Sequence, residues 1–384
     1  MFLDYYNLAQ FSRRRWFQTV AAAATLAIAS CGRRKATGYP GFALVATSGT
    51  PSVAAIDLMS FDLKKAIPLN AQPEGIVATG DRAYVLTRSN GSVHAINSRL
   101  DVAASRRIAD GVFTLKITSD GERLLALTPR ELIVIDAVSL AVLQRYRLKT
   151  QPFDMDVWKA ARVAISSNDG AIEWIDLETG QRHQLHMPGE IGAVRFRADG
   201  QVLLVANWHD RSLTALDVPT LQIIADLPLA MKPENLCFWG AGQLFVSGAG
   251  MDGVAIVYPY HTLQVDQTLL AGHDPGVMAS CGGDAPPDAG APAYLFAASQ
   301  AASSVCVVSV DNRKAIGYVE VGQDPCFIAI TPDNQYALVL NRLSGDVAVI
   351  RILSIRANRF KLGAALFNMI PVGERPISAA IISA

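Results

Sequence analysis

Charge is scarce in this 384-residue chain and its two signs cancel: 34 basic and 34 acidic residues make up 18% of the whole. That balance speaks against a nucleic-acid partner, which calls for a concentrated basic surface. None of the 5 cysteines belongs to a Cys-x-x-Cys-His segment, so covalent haem attachment of that kind is excluded. No Gly-rich phosphate loop follows a strand to open a helix, and no strand is followed by a convincing periodic helix. Both absences argue against a nucleotide-binding α/β fold. The apolar run Val20–Ser30 falls short of the ~20 residues that a membrane-spanning helix needs. Between Phe42 and Ala384 there is no long charge run and no low-complexity block to mark a domain boundary.

What the chain has instead is a repeated phrase. In Val321–Ile350, the runs Cys326–Thr331 and Tyr336–Asn341 are rich in β-branched and aromatic residues. They are joined by Pro332-Asp333-Asn334-Gln335, a turn sequence, and a third run, Asp346–Ile350, follows Arg342–Gly345. Pro325 stands just ahead of the first run, where a missing N–H costs a sheet little. Prolines at 73, 152, 233, 275, 325 and 376 each precede an apolar run, at intervals of 79, 81, 42, 50 and 51. The first two intervals are double. Their midpoints hold Phe113–Thr118 and Ile191–Phe196, followed by Ser119-Asp120-Gly121 and Ala198-Asp199-Gly200 at the turn position.

Read as units of four strands, seven copies are complete. An eighth is split. Phe42–Thr47, Val53–Ile56 and Lys65–Leu69 supply second, third and fourth strands with no first, and Ile377–Ile382 supplies a first strand with nothing after it. A split of this kind closes a ring and leaves no open edge. The expected fold is therefore all-β: an eight-bladed β-propeller of four-stranded antiparallel blades, closed by strand 377–382 pairing within 42–69. Seven blades is the alternative if 276–324 or 326–375 fails to make a full blade. Residues 42–384 then form one domain.

The phrase Gln323–Ile350, with its Asp-Pro opening, Pro-Asp-Asn turn, Tyr336–Asn341 and Gly345–Ile350, resembles the YVTN-type β-propeller repeat. Degenerate copies extend that resemblance over about nine tenths of the chain. It implies fold more than function, because related propellers include surface-layer proteins, lactone hydrolases, dehydrogenase subunits and haem d1 domains. At the N-terminus, Ser12-Arg13-Arg14-Arg15-Trp16-Phe17 resembles a twin-arginine (Tat) signal, and Ile28-Ala29-Ser30-Cys31 resembles a bacterial lipobox. The resemblance implies a signal peptide over 1–30, lipid attachment at Cys31 and a tether over 31–41, hence an exported lipoprotein at the periplasmic or cell-surface face of a membrane. Removal of 1–30 leaves 31 basic against 33 acidic residues.

In a propeller the loops before first strands and between second and third strands share one face, the mouth of the channel. Before first strands stand Glu74, Asp154, Glu190, Glu234, His273 with Asp274, and Asp324. The other set adds Trp208-His209-Asp210-Arg211 and Asn341-Arg342. Six carboxylates from six repeats would form a ring able to hold calcium or another divalent cation, or to position water. The richest ligand cluster is Trp208–Arg211, and His209 and His273 are the histidines expected at the mouth. Three functions stay open: a lipid-anchored cell-envelope module binding a peptide, glycan or envelope protein; a lactonase-like metal-dependent hydrolase; and a periplasmic redox or tetrapyrrole-handling protein. The aspartates closing third strands (Asp57, Asp136, Asp176, Asp217) read as turn formers, Trp158, Trp174 and Trp239 as core between blades, and Cys237, Cys281, Cys306 and Cys326 as buried apolar residues. The insert Gly282–Pro292 and the basic stretch Arg351–Lys361 fall on the face opposite the mouth.

Overall fold

The computed structural model describes residues 38–240, 242–259, 264–283, 293–355 and 362–384. Eight four-stranded antiparallel sheets follow one another around a ring. Blade 1 is built from Gly41–Thr47, Ser52–Asp57 and Asp62–Pro68 with Pro376–Ser383 as its innermost strand. Blades 2 to 8 span 75–107, 114–147, 154–186, 191–228, 235–270, 275–320 and 325–371, each in simple up-and-down order. The closing strand pairs with Gly41–Thr47 along its whole length, from Gly41 opposite Ser383 to Thr47 opposite Pro376. Both stretches that left seven blades open, 276–324 and 326–375, make full blades. The signal-like segment, Cys31, His261, most of the Gly282–Pro292 insert and 356–361 lie outside the described residues.

Alternation fails inside the blades for a physical reason. Second and third strands are buried on both sides, as in Ala43–Ala46 or Leu132–Ile135, because each sheet is sandwiched between two neighbours. Outer strands such as Val102–Arg107 are mostly exposed. In seven blades the pairing of third and fourth strands slips at the same step, for example at Ala55/Ile56, Ala95/Ile96 and Val349/Ile350. Just ahead of that bulge, Phe61, Leu100, Leu140 and Leu221 hold φ between 54° and 63° while their side chains are buried. An apolar residue in the left-handed region costs about 1 kcal/mol or more, which burial of that side chain between blades offsets.

The turn-forming aspartates behave as their sequence position implies. Asp57 Oδ1 accepts from Met59 N–H, Asp136 from Ser139, Asp176 from Glu178 and Thr179, and Asp217 from Thr220. The Ser139 hydroxyl and N–H hold the Asp136 carboxyl below its usual range. Trp158 and Trp239 reach the next blade, their Nε1 donating to the carbonyls of Ala198 and Cys281 at 3.0 and 2.9 Å. Trp174 is buried between blades 4 and 5. Cys281, Cys306 and Cys326 are buried as expected, whereas Cys237 is only partly buried because it lies on the channel wall.

Candidate functional site

First strands of neighbouring blades lie side by side at the centre, and much of Gly75–Thr79, Asp154–Trp158 and Asn235–Trp239 is half-buried, as expected of a channel wall. The expected mouth residues are distributed over its rim, but they do not converge. Glu74 faces Arg88 of its own blade at 3.6 Å, and Asp324 faces Arg342 at 3.6 Å. His273 Nδ1 lies 3.0 Å from Asp252 Oδ1, which also accepts the Asp274 N–H. Glu190 acts through its backbone, accepting from the N–H groups of Trp208 and His209, and Glu234 N–H donates to Ser247. Among the described residues no three of His, Cys, Asp and Glu are gathered to hold a metal ion. The expected ring of six carboxylates is not formed: Glu74 and Asp324 pair with cations of their own blades and Asp154 with Arg195 of the next blade, which avoids the mutual repulsion a shared ring would carry. Asn341 is fully buried rather than exposed at the mouth, and its Nδ2 donates to Asp346 Oδ1 at 2.7 Å, so that group closes a turn.

Trp208-His209-Asp210-Arg211 diverges in space. Asp210 is turned back onto Asn207, which donates to it at 3.1 Å, and Arg211 adopts a φ of 52° as the turn ends. His209 lies against Gly189, and its Nε2 is 3.9 Å from Asp210 Oδ1. Trp208 leans across the mouth, with Phe153 of blade 4 edge-on at 5.2 Å and Lys232 of blade 6 at 4.0 Å from its ring centre. Its Nε1 donates to Pro233 O at 2.6 Å. The indole fits because position 192 has no side chain: a Cβ there would sit 2.3 Å from Cε2 and Nε1. Gly192→Ala is expected to push the indole off Pro233 and cost about 1–3 kcal/mol by overpacking. A red shift in emission relative to a Trp208→Phe control checks it, and an unshifted spectrum would mean that the ring does not pack there.

The channel wall holds a feature that motif reading missed. One register position recurs in all eight first strands, occupied in ring order by Ala380, Val77, Lys116, Asp156, Arg195, Cys237, Ala279 and Ala329. Half of this ring is small or apolar. The other half, in blades 3 to 6, carries a cation, a carboxylate, a second cation and a thiol in succession. Arg195 Nη1 donates to Asp154 Oδ2 at 2.5 Å, and the same oxygen accepts Val194 N–H. Asp156 Oδ2 accepts Phe196 N–H at 2.8 Å. Burial pushes the Asp156 carboxyl above its usual range, against the pull of Arg195 and Lys116. For Arg195, burial works against the charge, and Asp154 and Asp156 outweigh it, keeping the guanidinium firmly protonated. Burial also pushes the Cys237 thiol up to about 11, which leaves it a poor nucleophile at neutral pH. The available signal was a charged residue in the middle of an apolar first strand at a constant column, visible once the eight copies are aligned.

Beside this half of the channel the rim is hollowed. A cavity of about 690 Å³ is lined by Pro129, Arg130, Arg147, Leu148, Lys149, Thr150 and Gln151, and a second of about 470 Å³ shares Pro129, Arg130 and Arg147 with it. The carboxylates there are engaged, Glu131 with Arg145 at 2.8 Å and Asp110 with Arg107 at 2.5 Å. Arg130, Arg147 and Lys149 form no ion pair among the described residues and give the rim a net positive lining.

No family model matches this chain, and no curated protein matches it. Solved structures do. A dihydro-heme d1 dehydrogenase, NirN, in complex with DHE superposes with a TM-score of 0.68 at 15% identity, over 90% of this chain and 77% of that one. Apo AztD from Citrobacter koseri gives 0.64 at 12% identity, over 88% and 97%. The β-propeller domain of Cps50 (Swd1) from Myceliophteria thermophila gives 0.51 at 14%, over 70% and 96%. The likeness is one of fold.

Proposed function

We propose that this protein is an exported, lipid-anchored binding module that takes an anionic ligand with an apolar or flat face at its channel mouth, over blades 3 to 6. The observation that carries the reading is the one-sidedness of the inner ring. Lys116, Asp156, Arg195 and Cys237 replace the small or apolar residues of the other half, on the same side of the ring as the Phe153–Trp208–Lys232 stack and the cationic rim. Aromatic surface supplies contact area, and fixed cations supply orientation. An envelope peptide or glycan bearing carboxylates has this chemistry. Native mass spectrometry of the protein released from its own envelope in mild detergent tests the reading. The wild type should carry an adduct that Trp208→Ala with Lys232→Ala loses, by a factor of about thirty in affinity if the pair is a hot spot of ~2 kcal/mol. A wild type without adduct, or an adduct indifferent to the substitutions, would overturn it.

A second reading is favoured by one observation, the likeness to a propeller solved with DHE. A tetrapyrrole is flat and anionic, and the aromatic stack, the rim cations and the imidazoles of His209 and His273 are the groups that would hold one. An absorption spectrum of the same preparation decides between them, since a tetrapyrrole adduct is coloured. The hydrolase reading lacks a metal-ligand set among the described residues.

Export and anchoring rest on Ser12–Phe17 and Ile28–Cys31. Cys31→Ser is expected to move the protein from the membrane to the soluble fraction, and lysine at all three of Arg13, Arg14 and Arg15 to block its export. Labelled palmitate on the Cys31→Ser protein would refute the lipid assignment.

A further inference from the structure

The face opposite the mouth is the more apolar one. Among the described residues, three of the large exposed apolar side chains, Phe153, Leu270 and Leu343, lie at the mouth, and Met369 lies midway along an outer strand. The other nine sit in the connections between third and fourth strands or within the first two residues of a fourth strand, at the opposite end. Single exposed apolar residues are ordinary. Four of these are grouped: Met59 and Leu63 on blade 1, 55% and 46% exposed, and Leu353 and Phe367 on blade 8, 54% and 50% exposed. The two blades are joined there, because Phe367 packs on Phe61 with ring centres 5.2 Å apart and Asn368 Nδ2 donates to Phe61 O. Flanking charges are paired, Lys64 with Asp57 and Lys65 with Asp101.

The chain enters the ring at this same spot. A Cβ on Gly38 would lie 2.6 Å from Met59 Cα, so the first described residue rests on the turn that presents Met59. Six residues separate Cys31 from Gly38, and such a length spans at most ~25 Å even when fully extended. We propose that the surface formed by Met59, Leu63, Leu353 and Phe367 seats on the lipid bilayer, so that the channel mouth opens away from the membrane. The inference depends on the lipid at Cys31 put forward above. With the anchor at Cys31, the contour length keeps this face near the headgroups, where exposed apolar side chains gain burial by dipping into the interface. The ligand site on blades 3 to 6 then stays open to the aqueous side.

Site-directed thiol labelling of the full chain tests the orientation. Met59→Cys and Leu353→Cys report on the proposed seat, and Leu270→Cys and Leu343→Cys on the mouth, each corrected for the native thiols. Labelling with a charged maleimide is compared in open membrane sheets and after detergent release. The seat positions are expected to react at least tenfold more slowly in the sheets, and the mouth positions equally in both. Equal rates at all four positions, in protein that pellets with the sheets and is freed by Cys31→Ser, would overturn the seating while leaving the lipid assignment intact. Wild type that stays soluble, as Cys31→Ser does, would overturn both. Protection of the seat positions in soluble Cys31→Ser protein would show that a second copy covers the patch and would also overturn the proposal.

Discussion

Removal of Pro376–Ala384 is expected to abolish cooperative unfolding. The closing strand forms the inner edge of blade 1, and its ladder of backbone hydrogen bonds to Gly41–Thr47 joins the C-terminus to the N-terminal strands. Ile382 is fully buried, and it packs with Ala380 against Leu44, Val53 and Ile76 in the core between blades 1 and 2. Loss of Ile382 alone should cost about 2–5 kcal/mol as a large-to-small change in a core, and the rest of the strand adds burial and a full ladder of hydrogen bonds. Together these approach the whole net stability of a domain, ~5–15 kcal/mol. The truncation also bares Gly41–Thr47, an apolar strand with an unpaired edge, which invites intermolecular pairing. Calorimetry should show a broadened, irreversible transition with aggregation. A sharp, reversible transition at the wild-type temperature would mean that the ring does not depend on this closure.

The second large effect is expected from Arg195→Met. The guanidinium sits between Asp154 and Asp156 in the channel wall, and its loss strands carboxylates where water is restricted. Breaking such a pair costs about 3 kcal/mol, the low end for buried ion pairs, since the Arg195 and Asp154 side chains remain 27% and 21% exposed. The loss should depend on pH. Asp156 already titrates above its usual value because burial disfavours its charged form, so the folded state binds this proton more tightly than the unfolded state. Its contribution to stability is present at acid pH, below the ordinary carboxylate range, and is lost as pH rises through the folded value. Without Arg195 the folded value rises further, and the penalty at neutral pH grows. The melting temperature of the variant relative to wild type should therefore recover as pH is lowered from 7 towards 5, and Asp156→Asn in the same background should remove that recovery. A stability difference that stays flat with pH would show that Asp156 does not feel Arg195.

The architecture was legible in the sequence because a repeat multiplies weak signals. A single apolar run such as Leu203–Trp208 is ambiguous, but eight runs at a common spacing, each flanked by a Pro or an Asp-Gly turn, fix the strand order. The split between Phe42–Leu69 and Ile377–Ile382 then demands a ring. The turn aspartates were equally legible, since an Asx side chain acts on its own neighbours two and three residues on. The mouth was not. Proximity in sequence made Trp208–Arg211 look like one cluster, yet successive residues of a tight turn point in different directions. Asp210 turns back onto Asn207, whereas Trp208 is drawn across the mouth by Phe153, Pro233 and Lys232, which come from two other blades.

By itself, then, the sequence determined an all-β ring and its closure, because those depend on the period of the apolar pattern and on local turn chemistry, while the structure decided for eight blades over seven. The N-terminal motifs add an expected destination that the fold does not address. Tertiary structure decided which polar residues meet. It kept the six mouth carboxylates apart, buried Asn341, and brought Lys116, Asp156, Arg195 and Cys237 to one level of the channel from strands about forty residues apart. The physical reason is that hydrogen bonds and salt bridges need their atoms within about 3–4 Å, so partnership is settled by the register of neighbouring blades, which no local stretch of sequence encodes.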